Sequence, residues 1–390
     1  MSLRIAVITG RGCRQFGGIE TYIHEVYTRL ADRGHHITIY TRRGDGLPRP
    51  LINPVRHIHY RVVPHLALPH LDAFSHCLLS TLDARHRQFD LVCYHGSPAA
   101  LSSVLPMQRD TRKVAIIHGL DWLRWMKHYS PHARLIQRTL QASEFVAARN
   151  ADHLVAISPY LQRHLTARWN TPAACIPPGV NHYTPEPAHE ILQQRLSPLG
   201  YMLYLGRLTP EKGCHLLIQA YRSINTAVKL VIAGPSTWGF GDSYERYLRQ
   251  LPGGDRRIVF TGTVRDTFKA ELLSNALLVV YPATVGGLPL AILEAMSYRR
   301  CVLVSDICDY YPLLREHAVL FPTGDAIELA RELRALLDDP DACQTRGQQA
   351  HAAAMQMASW GEVAQRFEQL FMYLIGQRNL PRAEPCPAYT

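Results

Sequence analysis

The second half of the chain contains a stretch, YLGRLTPEKGCHLLIQAY, in which two cations flank a turn. Arg207 and Lys212 follow an apolar run that ends at Leu205 and precede an amphipathic helical pattern that starts near Gly213. A helix N-terminus favours an anion, and nearby cations can add charge-assisted hydrogen bonds to it. The stretch therefore predicts a diphosphate site. The alternative is a solvated pair of cations that bonds Glu211.

A second stretch, YPATVGGLPLAILEAMSYRR, runs from Tyr281 to Arg300 and combines a glycine-rich loop with a carboxylate. We expect free amides around Gly286–Leu290 to point toward one crevice at the start of a helix. Glu294 lies one turn into that helix, where it could accept two hydroxyl hydrogen bonds, as a ribose requires. The alternative is that Glu294 caps the first-turn amides of its own helix.

A third glycine-rich turn lies near the N-terminus, in TGRGCRQFGGIETYIHEVYTRL. The apolar residues from Ile23 to Leu30 recur at helical spacing, which predicts a helix that begins near Gly18–Glu20. Glycines in the preceding turn would let the backbone approach an anionic ligand closely. The pattern is not a full G-x-G-x-x-G fingerprint, so a tight turn without a ligand is an equal alternative.

These loops must be positioned by strands, and the chain contains two series of short apolar runs that alternate with amphipathic helical stretches. Strands that are apolar throughout are typical of parallel sheets buried on both faces. The predicted strands are 5–8, 37–41, 89–95, 114–118 and 153–158 in the first series, and 201–206, 228–234, 258–262, 277–282 and 301–306 in the second. The fold class predicted from this pattern is α/β, with two doubly wound domains.

The segment IPPGVNHYTPEPAHE is rich in proline and separates the two series. It predicts a first domain over residues 1–180 and a second over 181–358. Residues 359–378 form a last helix with an apolar stripe of its own, which we expect to cross back to the first domain.

Composition limits the class of protein. An apolar fraction of 47% and a charged fraction of 19% describe a globular chain, and no apolar run approaches the roughly 18 residues that span a bilayer. The first residues form an apolar strand rather than a signal peptide. Nine cysteines with no CxxC pair favour reduced thiols in a cytoplasmic protein over a disulfide or zinc framework.

The positive charge is concentrated in the first half. Residues 1–190 carry 22 Lys and Arg against 13 Asp and Glu, whereas residues 191–390 carry 20 against 19. A basic half beside a neutral one indicates an anionic partner, which could be a phosphorylated lipid, a membrane surface or a nucleic acid. The alternative is a generally basic proteome.

Seven motifs occur in an order that resembles one family. They are GGIE, HGLDW, ADHLVAIS, IPPGVN, GRLTPEKG, FTGTV and GLPLAILEAM. Together they resemble the retaining GT-B glycosyltransferases, specifically glycosyltransferase family four of the group 1 type, over nearly the whole chain. The resemblance implies two facing Rossmann-like domains with a cleft between them, the first binding an acceptor and the second a nucleotide sugar.

The resemblance also implies roles for particular residues. Arg207 and Lys212 would bind the donor diphosphate, Glu294 the ribose, and His118 the donor sugar near the reacting carbon. The base would lie against Thr263 and Val264. Backbone groups would hold the phosphates and the sugar at Gly17, Gly18, Gly286, Gly287, Leu288 and Leu290.

Gly286 is a departure from the family pattern. The family commonly has a carboxylate at this position, in an E-x7-E pattern that ends at the equivalent of Glu294. A subset that resembles rhamnosyltransferases of polysaccharide synthesis also has VGG here, so a deoxysugar donor fits. The small glycine that usually follows EAMSY is replaced by Arg299 and Arg300.

The implied reaction is transfer of a sugar from a nucleoside diphosphate to a saccharide or lipid-linked acceptor in polysaccharide or glycolipid synthesis, with no cofactor, metal or nucleic acid. The departing phosphate accepts the acceptor's proton on the same face, so no protein nucleophile is needed. A catalytically impaired binding protein and a GT-B sugar epimerase are alternatives. An NAD enzyme is disfavoured because neither half has a full dinucleotide fingerprint.

The segment DWLRWMKHY follows His118 and predicts a helix with Trp122 and Trp125 on one face. Indoles prefer the lipid headgroup region and cations favour anionic lipid, so the segment predicts peripheral binding to the inner membrane surface and presentation of an anionic acceptor. The alternative is that this face packs into the core of the first domain.

Overall fold

The computed structural model describes residues 1–10, 17–42, 57–68, 71–125, 131–236, 241–286, 288–308 and 312–376. The chain divides into two compact units. Unit 1 comprises Met1–Gly179 together with Ser359–Thr390, and unit 2 comprises Val180–Ala358.

Unit 1 is built on seven strands, and every neighbouring pair of strands is parallel. The strands are β1 (Arg4–Thr9), β2 (His36–Arg42), β3 (Ile58–Val63), β4 (Leu91–His95), β5 (Arg112–Ile117), β6 (His153–Ala156) and β7 (Ala173–Cys175). Their order in the sheet is β3-β2-β1-β4-β5-β6-β7. The connecting helices are α1 (Gly18–Asp32), α2 (Asp72–Arg85), α3 (Ser97–Leu101), α4 (Pro131–Asn150) and α5 (Pro159–Trp169).

The central strands of this sheet are covered on both faces. All side chains from Ile5 to Ile8 in β1 are buried, and so is every residue of β4 from Leu91 to His95. This explains the continuous apolar runs, because a strand with helices on both faces has no solvent side to fill with polar residues. The carboxyl ends of β1, β4 and β5 are neighbours at one edge, where the loops that follow them begin.

Unit 2 repeats the design with six parallel strands. Its strands are β8 (Tyr201–Leu205), β9 (Lys229–Ala233), β10 (Ile258–Gly262), β11 (Leu278–Tyr281), β12 (Cys301–Ser305) and β13 (Val319–Phe321). Their order is β10-β9-β8-β11-β12-β13. The helices are α6 (Glu190–Gln193), α7 (Cys214–Arg222), α8 (Gly241–Gln250), α9 (Asp266–Asn275), α10 (Leu290–Ser297), α11 (Pro312–His317), α12 (Ala326–Asp338) and α13 (Pro340–Ala354). The prediction of two Rossmann-like domains with parallel sheets is confirmed.

The last helix, α14 (Trp360–Gly376), belongs to unit 1 and packs along α1. Its apolar side chains Trp360, Phe367 and Phe371 are buried. On the polar side, Glu368 bonds Arg33 at 2.6 Å and His35 at 3.1 Å, just after α1 ends. The C-terminal helix is therefore held by a buried apolar stripe and by a carboxylate with two partners.

Gly179 in the IPPGVN motif lies directly against the start of α14. A Cβ at this position would stand 2.6 Å from the backbone nitrogen of Trp360, closer than real Cβ contacts come. Because the obstacle is backbone, only glycine fits here.

No helix among the described residues is long and apolar enough to span a membrane.

Candidate active site

The loop after β8 carries Arg207 and Lys212, both half-buried. It turns through a 3-10 helix at Pro210–Lys212, and α7 begins two residues later. Gly213 makes this turn possible because its φ is +69° and a Cβ there would overlap the carbonyl oxygen of Pro282. The turn therefore lies against the end of β11 and brings two sequence motifs together in unit 2.

The two motifs are joined by specific contacts. The Thr284 amide donates to the Glu211 carbonyl at 2.9 Å, and the Lys212 ammonium bonds the Tyr281 hydroxyl while lying 4.9 Å from the centre of its ring. Lys212 is thus positioned at the junction of the cationic loop and the glycine-rich loop.

Gly286 lies in this junction and is exposed. A Cβ built on it would stand 3.4 Å from the Tyr281 hydroxyl and 3.7 Å from the Lys212 ammonium. The carboxylate expected here from the family pattern would therefore face Lys212. The tyrosine hydroxyl contacts the ammonium group instead.

Helix α10 begins at Leu290, and its N-cap residue is Pro289, which has no side chain to accept a first-turn hydrogen bond. The N-cap side chain therefore accepts no hydrogen bond from the first-turn amides at the positive end of this helix. The side chains of Leu288 and Leu290 pack against the core of unit 2, so only their backbone groups can serve a ligand. Gly287 lies outside the described residues.

Glu294 is one turn into α10, and its carboxylate is bound by Lys269 of α9 at 2.8 Å and 2.6 Å. Glu294 therefore pairs with Lys269 and does not cap its own helix. The side chains of Glu294 and Lys269 are 15% and 33% exposed, so the pair can be reached from solvent. Sequence reasoning missed Lys269, since it belongs to none of the motifs and its pairing spans 25 residues.

The turn after β10 contains the residues predicted to touch the base. Thr263 is exposed, whereas Val264 is buried in the core of unit 2. The threonine side chain is therefore accessible, and the valine can offer only backbone groups.

In unit 1, α1 begins at Gly18 as predicted, and its N-cap residue Gly17 makes no side-chain cap. Gly18 is exposed at the first position of the helix. The Glu20 carboxylate lies against Gly17, where a Cβ would overlap it. An anion at this helix start must therefore share the space with a flexible carboxylate.

His118 follows β5 directly and is half-buried. Its Nε2 lies 2.9 Å from Nδ1 of His95, whose Nε2 lies 2.8 Å from the Tyr27 hydroxyl. Burial lowers the pKa of His118 to about 4, although nearby Asp121 acts in the other direction. Burial, and then the neighbouring His118, lower the pKa of His95 well below its usual range. Both rings are neutral at pH 7.

Trp122 lies in a 3-10 helix over Asp121–Trp125 rather than in an α-helix. Its indole N–H donates to Glu144 of α4 at 2.8 Å, and Glu144 is 1% exposed. This contact favours packing into unit 1 over insertion into a membrane. The side chain of Trp125 lies outside the described part of the chain.

Among the residues that the structure describes, no group of three or more His, Cys, Asp or Glu could hold a metal ion.

Comparison with known families gives two matches that follow one another along the chain. Residues 16–183 match the model for Glycosyltransferase Family 4, and residues 193–353 match that for Glycosyl transferases group 1. The chain is 26% identical to the D-inositol 3-phosphate glycosyltransferase of Kineococcus radiotolerans, over 99% of this chain and 97% of that protein. It is 23% identical to the D-rhamnosyltransferase WbpZ of Pseudomonas aeruginosa, over 87% and 88%.

Solved structures agree on the fold. Sucrose-phosphate synthase from Thermosynechococcus elongatus superposes with a TM-score of 0.79 at 22% identity, covering 96% of this chain and 99% of that one. Anabaena HepE in complex with UDP-glucose gives a TM-score of 0.76 at 20% identity, covering 94% and 99%. Fold and family together define the class as GT-B glycosyltransferases. This chain is a glycosyltransferase of the group 1 type.

Proposed function

We propose that this enzyme transfers a sugar from a nucleoside-diphosphate sugar to a saccharide or lipid-linked acceptor, with retention of anomeric configuration. The observation that carries the proposal is the junction in unit 2. There Arg207 and Lys212 lie in a loop that packs against the end of β11. The start of α10 follows β11, and its N-cap proline makes no side-chain cap. Fixed cations and helix amides together suit a leaving diphosphate, because they stabilise charge without having to reorganise.

In this proposal the remaining residues each bind a different part of the donor. Glu294, oriented by Lys269, accepts hydrogen bonds from the ribose, and Thr263 with the Val264 backbone lies beside the base. Gly17 and Gly18 at the start of α1 approach the phosphates, and His118 donates a hydrogen bond to the sugar. The departing phosphate accepts the acceptor's proton, so no protein nucleophile is needed.

The donor sugar is proposed to be one that needs no carboxylate at position 286. The Tyr281 hydroxyl and Lys212 lie beside position 286, and no carboxylate at that position accepts hydrogen bonds from sugar hydroxyls. This suits a sugar with fewer hydroxyl groups, such as a deoxysugar. The 23% identity with a protein named a D-rhamnosyltransferase supports the same class of donor. The complex of HepE with UDP-glucose makes uracil the first base to test.

We propose that no metal takes part, because Arg207 and Lys212 supply the positive charge that a divalent ion would otherwise bring. Turnover measured in EDTA and in Mg²⁺ should be equal within about twofold. A strict requirement for the divalent ion would contradict this part of the proposal.

Thermal-shift measurements with UDP, GDP, ADP and dTDP sugars identify the base and then the sugar. Product formation is next followed with and without an acceptor. The proposal predicts turnover that depends on the acceptor. Turnover of the donor alone into an epimer would favour a sugar epimerase, and binding without any turnover would favour a catalytically impaired binding protein.

We propose further that unit 1 meets an anionic acceptor at the inner face of the cell membrane, with the enzyme cytoplasmic and peripheral. Support comes from the charge of residues 1–190, with 22 Lys and Arg against 13 Asp and Glu. Since Trp122 is bonded to Glu144, this attraction rests on cations rather than on that indole.

Co-sedimentation with liposomes tests the membrane proposal. Binding should require anionic lipid and weaken steeply between low and physiological salt, since surface charge is screened within about 8 Å at 0.15 M. A folded Trp122→Ser/Trp125→Ser variant should retain most of the binding to anionic vesicles. Equal binding of the wild type to neutral and anionic vesicles would contradict the electrostatic mechanism.

A further inference from the structure

Three side chains of unit 1 form a hydrogen-bonded series that ends at His118. The Tyr27 hydroxyl lies 2.8 Å from His95 Nε2, and His95 Nδ1 lies 2.9 Å from His118 Nε2. Tyr27 and His95 are 0% and 1% exposed. Neither residue has a role in the proposed donor contacts. Both are nevertheless polar groups in the core, and they connect to His118, which does have such a role.

The series can run in two directions, which differ in which group donates each hydrogen bond. A neutral imidazole has one donor nitrogen and one acceptor nitrogen. If the Tyr27 hydroxyl donates to His95 Nε2, the His95 proton is on Nδ1 and is donated to His118 Nε2. The proton of His118 is then on Nδ1, and both nitrogens of the buried His95 ring have a hydrogen-bond partner.

The opposite direction is less favourable. His118 would donate from Nε2, His95 would donate to the Tyr27 oxygen, and the Tyr27 proton would need another acceptor. The neighbouring group for that proton is the Cys93 sulfur, which is a weak acceptor. A buried hydroxyl without a good acceptor is destabilising, so the first direction is favoured.

The ring of His118 is also held from the side. Tyr22 packs against it edge-on, with ring centres 5.0 Å apart and planes at 87°. The Tyr22 hydroxyl donates to the Ile176 carbonyl at 3.0 Å, and Trp360 of α14 packs edge-on against the Tyr22 ring with ring centres 5.3 Å apart. His118 Nδ1 makes no hydrogen bond to any described residue and is not sealed from solvent.

We propose that His95 is a positioning residue which, with Tyr27, holds His118 as the neutral Nδ1–H tautomer and so makes it a hydrogen-bond donor to the ligand. The inference rests on the proposed function for the identity of that ligand. The tautomer itself is a property of the free protein and can be tested without any substrate.

The first experiment is a long-range ¹H–¹⁵N spectrum of the wild-type protein labelled at histidine, with His118 assigned by its absence in His118→Ala. The prediction is a protonated Nδ1 and an unprotonated Nε2 for His118 at pH 7. In Tyr27→Phe the two resonances should move toward an average, because the direction of the series is no longer fixed. A wild-type His118 that is protonated on Nε2, or charged, would overturn the inference.

The second experiment uses two amides that differ by one methylene. In His95→Asn the side-chain amide can occupy the place of Nδ1 and still donate to His118, whereas in His95→Gln it occupies the place of Nε2. We expect His95→Gln to lose kcat by on the order of 10–100-fold with little change in KM, as when a partner that orients a histidine is lost. His95→Asn should retain kcat within about threefold, by the same reasoning.

His76 provides the control for loss of a buried histidine, since it is 0% exposed and lies outside the series. His76→Gln should leave kcat unchanged in the folded fraction of protein. Equal loss in His95→Asn and His95→Gln, or none in a folded His95→Gln, would overturn the positioning role. If the wild type transfers no sugar, the proposed function fails, and the tautomer measurement still tests the inference. If the amide variants do not fold, the spectrum of Tyr27→Phe tests the inference instead.

Discussion

At the scale of single residues, the junction of Lys212, Tyr281 and Gly286 has the clearest consequences for donor choice. The ammonium group contacts a hydroxyl, and a Cβ at position 286 would point into the space beside both. In the proposed function this ammonium group binds the donor diphosphate. Any acid introduced at position 286 would compete for that charge.

Gly286→Glu should therefore lower kcat/KM for the native donor by on the order of tenfold, about 1.4 kcal/mol. Gly286→Gln is the matched control because it adds nearly the same volume without the charge. The account predicts a clearly larger loss for the acid than for the amide in steady-state kinetics. Higher activity of Gly286→Glu with that donor, or equal losses in both variants, would show that competition for Lys212 is not the reason the acid is missing.

Some site residues can be predicted from the sequence and others cannot. Local spacing and the family pattern predict Arg207, Lys212 and Glu294 as donor-binding residues, and the structure places them at or near strand and helix ends in unit 2. Lys269 and His95 could not be identified in this way. Each acts through a partner more than twenty residues away, and only the order of the strands and helices brings the two groups together.

At the scale of elements, the starts of α1 and α7 were predicted within one or two residues because glycines and helical spacing mark them. Three strands were missed, namely β3, β7 and β13. Each of them lies at the edge of its sheet. β7 and β13 have only three residues, and β3 is half-exposed with the sequence IHYRVV. These three edge strands lack the continuous apolar run of a strand covered on both faces, so the pattern that located the central strands does not detect them.

Helix α14 gives a prediction that belongs to this scale. Burial opposes ionisation of Glu368, but hydrogen bonds from Arg33 and His35 outweigh it, and the pKa of the carboxyl is lowered. Glu368→Gln should reduce the free energy of unfolding by about 1 kcal/mol, a modest value because both charged groups are partly exposed. Gln369→Ala, an exposed change on the same helix, is the control. Chemical denaturation in which both variants unfold like the wild type would show that the carboxylate does not hold α14.

At the scale of the whole molecule, several buried histidines make stability depend on pH. Burial lowers the pKa of His76 and His118 to about 4, and that of His95 moves in the same direction. In the unfolded chain each would titrate near 6.5, so between these values the unfolded state binds more protons. Stability should therefore fall as pH decreases from about 6.5 toward 4.

The expected slope is roughly 1.4 kcal/mol per pH unit for each such histidine in that window. Urea unfolding at pH 7.5, 6 and 5 measures it. His76→Phe should reduce the slope, and His24→Phe, which changes an exposed histidine of α1, should not. A free energy of unfolding that is constant from pH 7.5 to 5 would mean that these histidines are not kept neutral by the fold.

The central claim is that Arg207 and Lys212 stabilise the charge that develops on a leaving diphosphate. The direct measurement is kcat/KM for sugar transfer by Arg207→Ala and Lys212→Ala, with Arg331→Ala, an exposed change on α12, as the control. Each site variant should lose on the order of 2–4 kcal/mol of transition-state stabilisation, roughly 30- to 1,000-fold in rate, while the control stays near wild type. Near-normal kcat/KM in both folded site variants would contradict the account.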